Sequence, residues 1–194
     1  MTSNRGEIDS GMPRPTERPP GGAVPVSVPL NLTLVRRPDL AVRVTVASAY
    51  PDGFLFLLSV GFDIRLVPFN RVDFYAPREL GYPLPARLEV RFSDGRVADS
   101  LVKLPGRRVN EAAVLVYTGG TSHPRDAEDQ ERDSFRQHET SWWVSPLPPP
   151  GPLEFAAHLR DSGELAGTGV CAAEPILDAA RRSEVQWGTR GAGR

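Results

Sequence analysis

His123 and His138 lie in one polar stretch, with Asp126, Glu128, Asp129, Glu131 and Asp133 between them. Imidazole and carboxylate groups are the side chains that hold zinc and related ions. Their spacing here matches no usual ligand pattern, and a polar loop does not hold coordination geometry, so no metal site is expected. Gly119-Gly120-Thr121-Ser122 offers backbone amides that can cradle an anion. No lysine follows and acidic residues dominate the segment, which argues against a phosphate site. Cys171 is the only cysteine. It can form neither an intrachain disulfide nor a thiolate cluster, and without an activating histidine nearby it reads as a small buried hydrophobe.

Trp142, Trp143 and Trp187 are the residues that would stack on a sugar ring, although core packing accounts better for the Trp142/Trp143 pair. Glycoside hydrolysis needs two carboxylates at a fixed separation, which spacing alone does not reveal. Pro146-Leu147-Pro148-Pro149 fits the Pro-x-x-Pro pattern read by aromatic grooves. A rigid connector explains it more simply. The chain contains neither a Gly-x-Gly-x-x-Gly fingerprint, a Gly-x-x-x-x-Gly-Lys-Ser/Thr loop nor a Gly-x-Ser-x-Gly elbow. No catalytic, cofactor-binding or metal-ligating residue is therefore assigned, and no cofactor is expected.

The elements that would position these residues are strands. Val26 and Val28, then Leu30, Leu32 and Leu34, alternate with polar residues and prolines, which predicts an edge strand or a bend before a better strand at 30–36. Leu40, Val42, Val44 and Val46 share one face of the next strand. After the Pro51-Asp52-Gly53 turn, Phe54, Phe56, Leu58, Val60 and Phe62 form a heavy apolar face, and Leu55 and Leu57 make the strand central. Residues 63–85 hold four prolines and many apolar side chains, and read as a packed connection. Leu88, Val90 and Phe92 alternate with Arg87, Glu89 and Arg91, and Asp94-Gly95 follows as a hairpin signal. A two-residue turn there would pair Phe92 with Val97 and Leu88 with Leu101, placing Asp99 on the apolar face. Asp99 is then hydrogen-bonded, or a bulge shifts the register. A catalytic role for a buried Asp99 is the weaker reading.

Residues 112–117 are apolar on both faces and strand-length, ended by Gly119-Gly120, and 119–139 reads as a mobile solvated loop. From Glu139 to Pro146 the pattern is strand again, with Trp142 and Trp143 on opposite faces. One indole should enter the core, and the other should lie on the outer face or under a loop. The prolyl run 146–152 cannot be helix or central sheet, so it reads as a strap between two packed sheets. Leu153, Phe155, Ala157 and Leu159 then face inward, with Glu154, His158 and Arg160 outward. A last strand spans 165–172, weakened by Gly167 and Gly169, and a short helix starts near Pro175 with Ile176, Leu177, Ala179 and Ala180 as its apolar stripe.

Many short strands and one terminal helix predict an all-β protein: an antiparallel β-sandwich, immunoglobulin-like or similar. The expected organisation is a disordered tail over 1–23, a sandwich domain over 24–187 and a second disordered tail over 188–194. With 194 residues and a net charge of −1, the chain suits one domain and is not a nucleic-acid binder. No stretch is long and apolar enough for a membrane helix, and residues 1–10 do not read as a secretory signal, so the default expectation is cytoplasmic.

The run Trp143 to Phe155, the Ala49-Tyr50-Pro51-Asp52-Gly53-Phe54 stretch, Phe92-Ser93-Asp94-Gly95-Arg96 and the closing helix at 175–180 together resemble a family of uncharacterised bacterial proteins from high-GC genomes. The resemblance covers most of 24–187 in patches and departs from the family over 63–85. The family has no assigned activity, so the resemblance implies no catalytic residue. The function expected is a binding module, with another protein as partner. The alternatives are an enzyme or carbohydrate-binding protein with a cleft near Trp142/Trp143, and a structural subunit. Neither the oligomeric state nor the partner is set by sequence.

Overall fold

The computed structural model describes residues 15–63, 87–100, 113–122, 135–158 and 165–185. Within them the chain forms strands β1 (Ala23–Val24), β2 (Val26–Arg36), β3 (Leu40–Tyr50), β4 (Gly53–Asp63), β5 (Arg87–Arg91), β6 (Val97–Asp99), β7 (Val114–Ser122), β8 (Phe135–Ser145), β9 (Pro152–His158) and β10 (Leu165–Ala172). Helix α1 (Glu174–Arg182) and strand β11 (Glu184–Val185) follow. All pairings are antiparallel. One sheet has the order β2-β3-β4-β8-β7, a second β10-β9-β5-β6, and β1 pairs with β11 in a two-stranded ribbon. The protein is an all-β sandwich closed by one short C-terminal helix.

Alternation explains the core. Phe54, Phe56, Leu58, Val60 and Phe62 of β4 are all buried, and β4 lies between β3 and β8 as its two apolar faces require. From the opposite sheet Phe155 of β9 reaches in beside two of them, its ring centroid 5.2 Å from Phe56 and 6.5 Å from Phe54, edge-on in both cases. Edge-on contact sets the positive ring edge against a negative face and adds to the area term.

Bulges decide where the alternation breaks. Leu40, Val42 and Val44 face the core, but the register shifts between Val44 and Val46. The inward residues after the shift are Ala47 and Ala49, and Val46 is only half-buried, contrary to a regular strand. β2 is an edge strand, bent by a register shift between Pro29 and Leu32 where Asn31 takes a φ of 51°. Asparagine tolerates that left-handed conformation better than most residues.

The prolyl strap joins the sheets as expected, leaving β8 in one and entering β9 in the other. The Ser145–Pro146 peptide is cis, and Pro146 and Pro148 are buried. Gly151, at φ 115°, turns the chain beneath Ser93, whose hydroxyl donates to the Pro150 carbonyl at 2.9 Å. The Gly151 N–H in turn donates to Glu174 in the first turn of α1. That helix buries Ile176, Ala179 and Ala180 against β2 and β3.

Other expectations change as well. Residues 15–23, grouped with the disordered tail by composition, are ordered: β1 pairs with β11, and Thr16 is hydrogen-bonded to the sandwich. Gly119-Gly120 does not end β7, which continues to Ser122. Thr118 donates to Ser141 across the bulge there, and Gly120 lets the backbone approach Glu139 closely. The segment 119–139 is thus strand at both ends, and 123–134 lies outside the described residues, as do 64–85 of the packed connection expected over 63–85, residues 1–14, and residues 186–194 with Trp187.

Candidate functional site

Asp99 belongs to a charged outer face built on the β5–β6 hairpin. The β5–β6 hairpin turns through three residues, Ser93-Asp94-Gly95, with Phe92 and Arg96 hydrogen-bonded across it and Gly95 at φ 85°. Glycine at the left-handed position of a three-residue loop moves the register by one relative to a two-residue turn. Val90 therefore faces Ala98, and Asp99 pairs with Glu89 on the outer face. The register shift anticipated for Asp99 is the one the fold adopts, with Asp99 also hydrogen-bonded by Arg87, and Leu101, expected to pair with Leu88 in the other register, lies outside the described residues.

Three rows of side chains cross the outer face of the four-stranded sheet. One runs Val97, Arg91, Glu154, Val170; the next runs Asp99, Glu89, Ala156, Thr168; and Arg87 pairs with His158 in the third. Although these residues point away from the core, Glu89, Asp99 and Ala156 are buried. Arg91 grips Glu89 through two nitrogens at 2.7 and 3.0 Å and reaches Glu154 at 3.0 Å. Arg87 makes an ion pair with Glu89 and a two-nitrogen contact with Asp99 at 2.8 and 3.1 Å. A buried carboxylate is tolerable only when paired and hydrogen-bonded, and Glu89 is held between two guanidiniums. The hydrogen bond to Glu89 raises the Arg91 guanidinium above its ordinary range; burial opposes this, and the charges of Glu89 and Glu154 add to the rise.

His158 completes the cluster. Its Nε2 lies 3.7 Å from Glu89 Oε2, and both ring nitrogens are buried without a hydrogen-bond partner. Next to the ion pairs, at the end of the same face, Val170 is an exposed apolar side chain. The arrangement can present ordered guanidinium edges to a ligand, and an imidazole beside a carboxylate can take part in proton transfer.

The two adjacent tryptophans separate as alternation demands. Trp142 enters the core and donates its indole N–H to Thr140 at 2.9 Å. Trp143 lies on the outer face of the five-stranded sheet, edge-on to Tyr50, and is fully buried under the segment carrying Thr16. Neither indole offers its face to a sugar in this state. The other chemically able residues are not brought together. His138 stacks on Phe62, and His123 lies outside the described residues. Among the described residues no group of three metal-ligating side chains exists. Cys171 is half-buried in β10, and burial pushes its thiol up to about 11, the opposite of a nucleophile. With Pro146 and Pro148 buried, the Pro-x-x-Pro run is a strap and is not displayed.

The ion-pair cluster was missed in the sequence because Arg87, Glu89 and Arg91 read as an ordinary solvated face. The signal was the Arg-x-Glu-x-Arg alternation of β5, together with Glu154 and His158 on the outward positions of β9. A scan against protein-family models, a search of curated proteins and a search of solved structures each found no match. The high-GC bacterial family thus remains an expectation from the quoted motifs.

Proposed function

We propose that the protein is a binding module that engages another protein through the outer face of its four-stranded sheet. The observation that carries this reading is the mutual fixing of Arg87, Glu89, Arg91, Asp99 and Glu154, with Val170 exposed beside them. The two arginines remain partly open, 34% and 40% exposed, so their guanidinium edges are ordered before a partner arrives. Side chains already held in place lose less entropy on binding, and arginine beside an apolar anchor is a common interface composition. Two guanidiniums face three carboxylates here, so the partner that fits brings neutral acceptors, such as backbone carbonyls, to the remaining guanidinium N–H groups and an apolar side chain over Val170.

A pull-down from native cells tests this with three baits. A stoichiometric partner should be retained by the wild-type chain and by Arg43→Glu, on the other sheet, and lost with Arg91→Glu. Equal recovery on all three would remove the charged face from the account. A cytoplasmic setting and membership of the high-GC bacterial family are parts of the same proposal. An unpaired cysteine suits a reducing compartment, and cell fractionation tests the location.

A second reading, an acid–base site, is favoured by one observation: His158 Nε2 lies 3.7 Å from the buried Glu89 carboxylate. An imidazole with both ring nitrogens free of hydrogen bonds has a nitrogen available to take or give a proton next to a carboxylate. Turnover of any hydrolysable substrate that is lost in His158→Ala and kept in Arg91→Glu would favour it.

A further inference from the structure

Thr16 is read by the sandwich at all three of its polar groups. Its N–H donates to Ser145 Oγ at 2.9 Å, and its carbonyl accepts from Trp143 Nε1 at 2.8 Å. Its hydroxyl lies between Ser145 Oγ at 3.2 Å and Asp52 Oδ2 at 3.4 Å. The reading groups are themselves fixed. Ser145 is fully buried, and its hydroxyl donates to the Asp52 carbonyl at 3.0 Å, leaving its lone pairs for Thr16. Trp143 is wedged against Tyr50. The segment that fills this corner has no helix and no sheet pairing between residues 15 and 22, and it hangs from Pro19-Pro20-Gly21-Gly22. It also fills the corner incompletely. The hydrogen bond from the Thr16 hydroxyl to Asp52 Oδ2 is long, and Asp52 Oδ1 is buried with no hydrogen-bond partner.

We propose that the corner formed by Asp52, Trp143 and Ser145 is a recognition site for an extended peptide segment of another protein, carrying a threonine or serine and a further donor for Asp52, and that residues 15–18 occupy it in cis. The two hydroxyl contacts, to Ser145 Oγ and Asp52 Oδ2, distinguish a hydroxyl amino acid from its apolar isostere. The backbone pair, one donor and one acceptor, demands an extended segment, since a helix would have used those groups itself. The open oxygen of Asp52 gives an incoming segment with an extra N–H something the resident segment lacks. The resident segment acts as an autoinhibitory latch, and the site does not depend on the charged face of the other sheet.

The test uses the full chain in a Trp187→Phe background, in which core Trp142 gives a constant protected signal, acrylamide quenching reports the change at Trp143, and calorimetry reports binding. The probe is the peptide Pro-Arg-Pro-Thr-Glu-Arg-Pro-Pro, residues 13–20 of the chain. Thr16→Pro removes both the N–H and the hydroxyl and should open the latch, making Trp143 quenchable. The opened chain should bind the peptide at least tenfold more tightly than the wild type, in which the tethered copy competes at about 1 mM effective concentration. Binding should restore protection of Trp143, and the same peptide with valine in place of threonine should fail to do so. If Thr16→Pro does not fold, Thr16→Val supplies the comparison, with Thr16→Ser expected to match the wild type. An opened chain that ignores the peptide, or a Trp143 as protected in Thr16→Pro as in the wild type, overturns the proposal. So does a wild-type dimer that Thr16→Pro abolishes, because the natural occupant would then be the arm of a second copy.

Discussion

Gly167 of β10 lies directly over the backbone of Leu34 in β2, so close that a Cβ on Gly167 would overlap the Leu34 carbonyl oxygen. A Cβ on Gly169, two residues on, would press against the movable end of the Leu34 side chain. The glycines that weaken β10 as a strand are what lets the edges of the two sheets meet. Gly167→Ala should therefore destabilise the fold by about 3 kcal/mol, lowering the thermal midpoint by roughly 6–12 °C. Gly21→Ala, with nothing within 4 Å, is the control and should melt as the wild type does.

Phe155 is the main lock between the sheets. Phe155→Ala leaves a cavity beside Phe54 and Phe56 and should cost about 3–5 kcal/mol in denaturant unfolding. Phe155→Leu keeps most of the volume and should cost less than about 1.5 kcal/mol.

Glu89 and Arg91 share an ion pair, yet their removal should not be equivalent. Glu89→Ala takes a shared carboxylate from both guanidiniums, which keep only Asp99 and Glu154 among the described residues. A fully buried pair broken this way costs about 3–5 kcal/mol, and the partial exposure of both arginines brings the expectation down to about 2 kcal/mol. Arg91→Ala removes a group 40% exposed and leaves Arg87 on Glu89, so less than about 1 kcal/mol is expected. Urea unfolding of the two variants measures both.

The Cys171 thiol is held up to about 11 by burial. At pH 8 about one thiol in a thousand is ionised, so iodoacetamide should label the native protein slowly and the unfolded protein fast. The sign for stability follows. The unfolded thiol ionises first, so the stabilising contribution is complete below about pH 9 and is lost as pH rises towards 11. Cys171→Ser should flatten that alkaline decline.

The core was legible because the residues on either side of each strand differ so sharply. Phe54 to Phe62, Leu88 to Phe92 and Leu153 to Ala157 all face inward as their alternation requires. The separation of Trp142 from Trp143 and the strap between the sheets followed from the same period-two logic and from proline chemistry. What was not legible depends on a single residue's backbone. The shift after Val44 turns Ala47 and Ala49 inward, and the left-handed Gly95 sends Asp99 to the charged face. Neither leaves a mark in hydropathy. The ordering of Thr16 was hidden for a different reason: it rests on hydrogen bonds to Trp143 and Ser145, and composition registers only apolar area.

The most direct measurement on the proposed function is photo-crosslinking in native cells with a reactive side chain at position 170. The account predicts a stoichiometric adduct to one protein, weakened at least tenfold by Arg91→Glu and absent when the probe sits at position 43 on the other sheet. An adduct that ignores Arg91→Glu, or no adduct at position 170 while position 43 captures a partner, would contradict it.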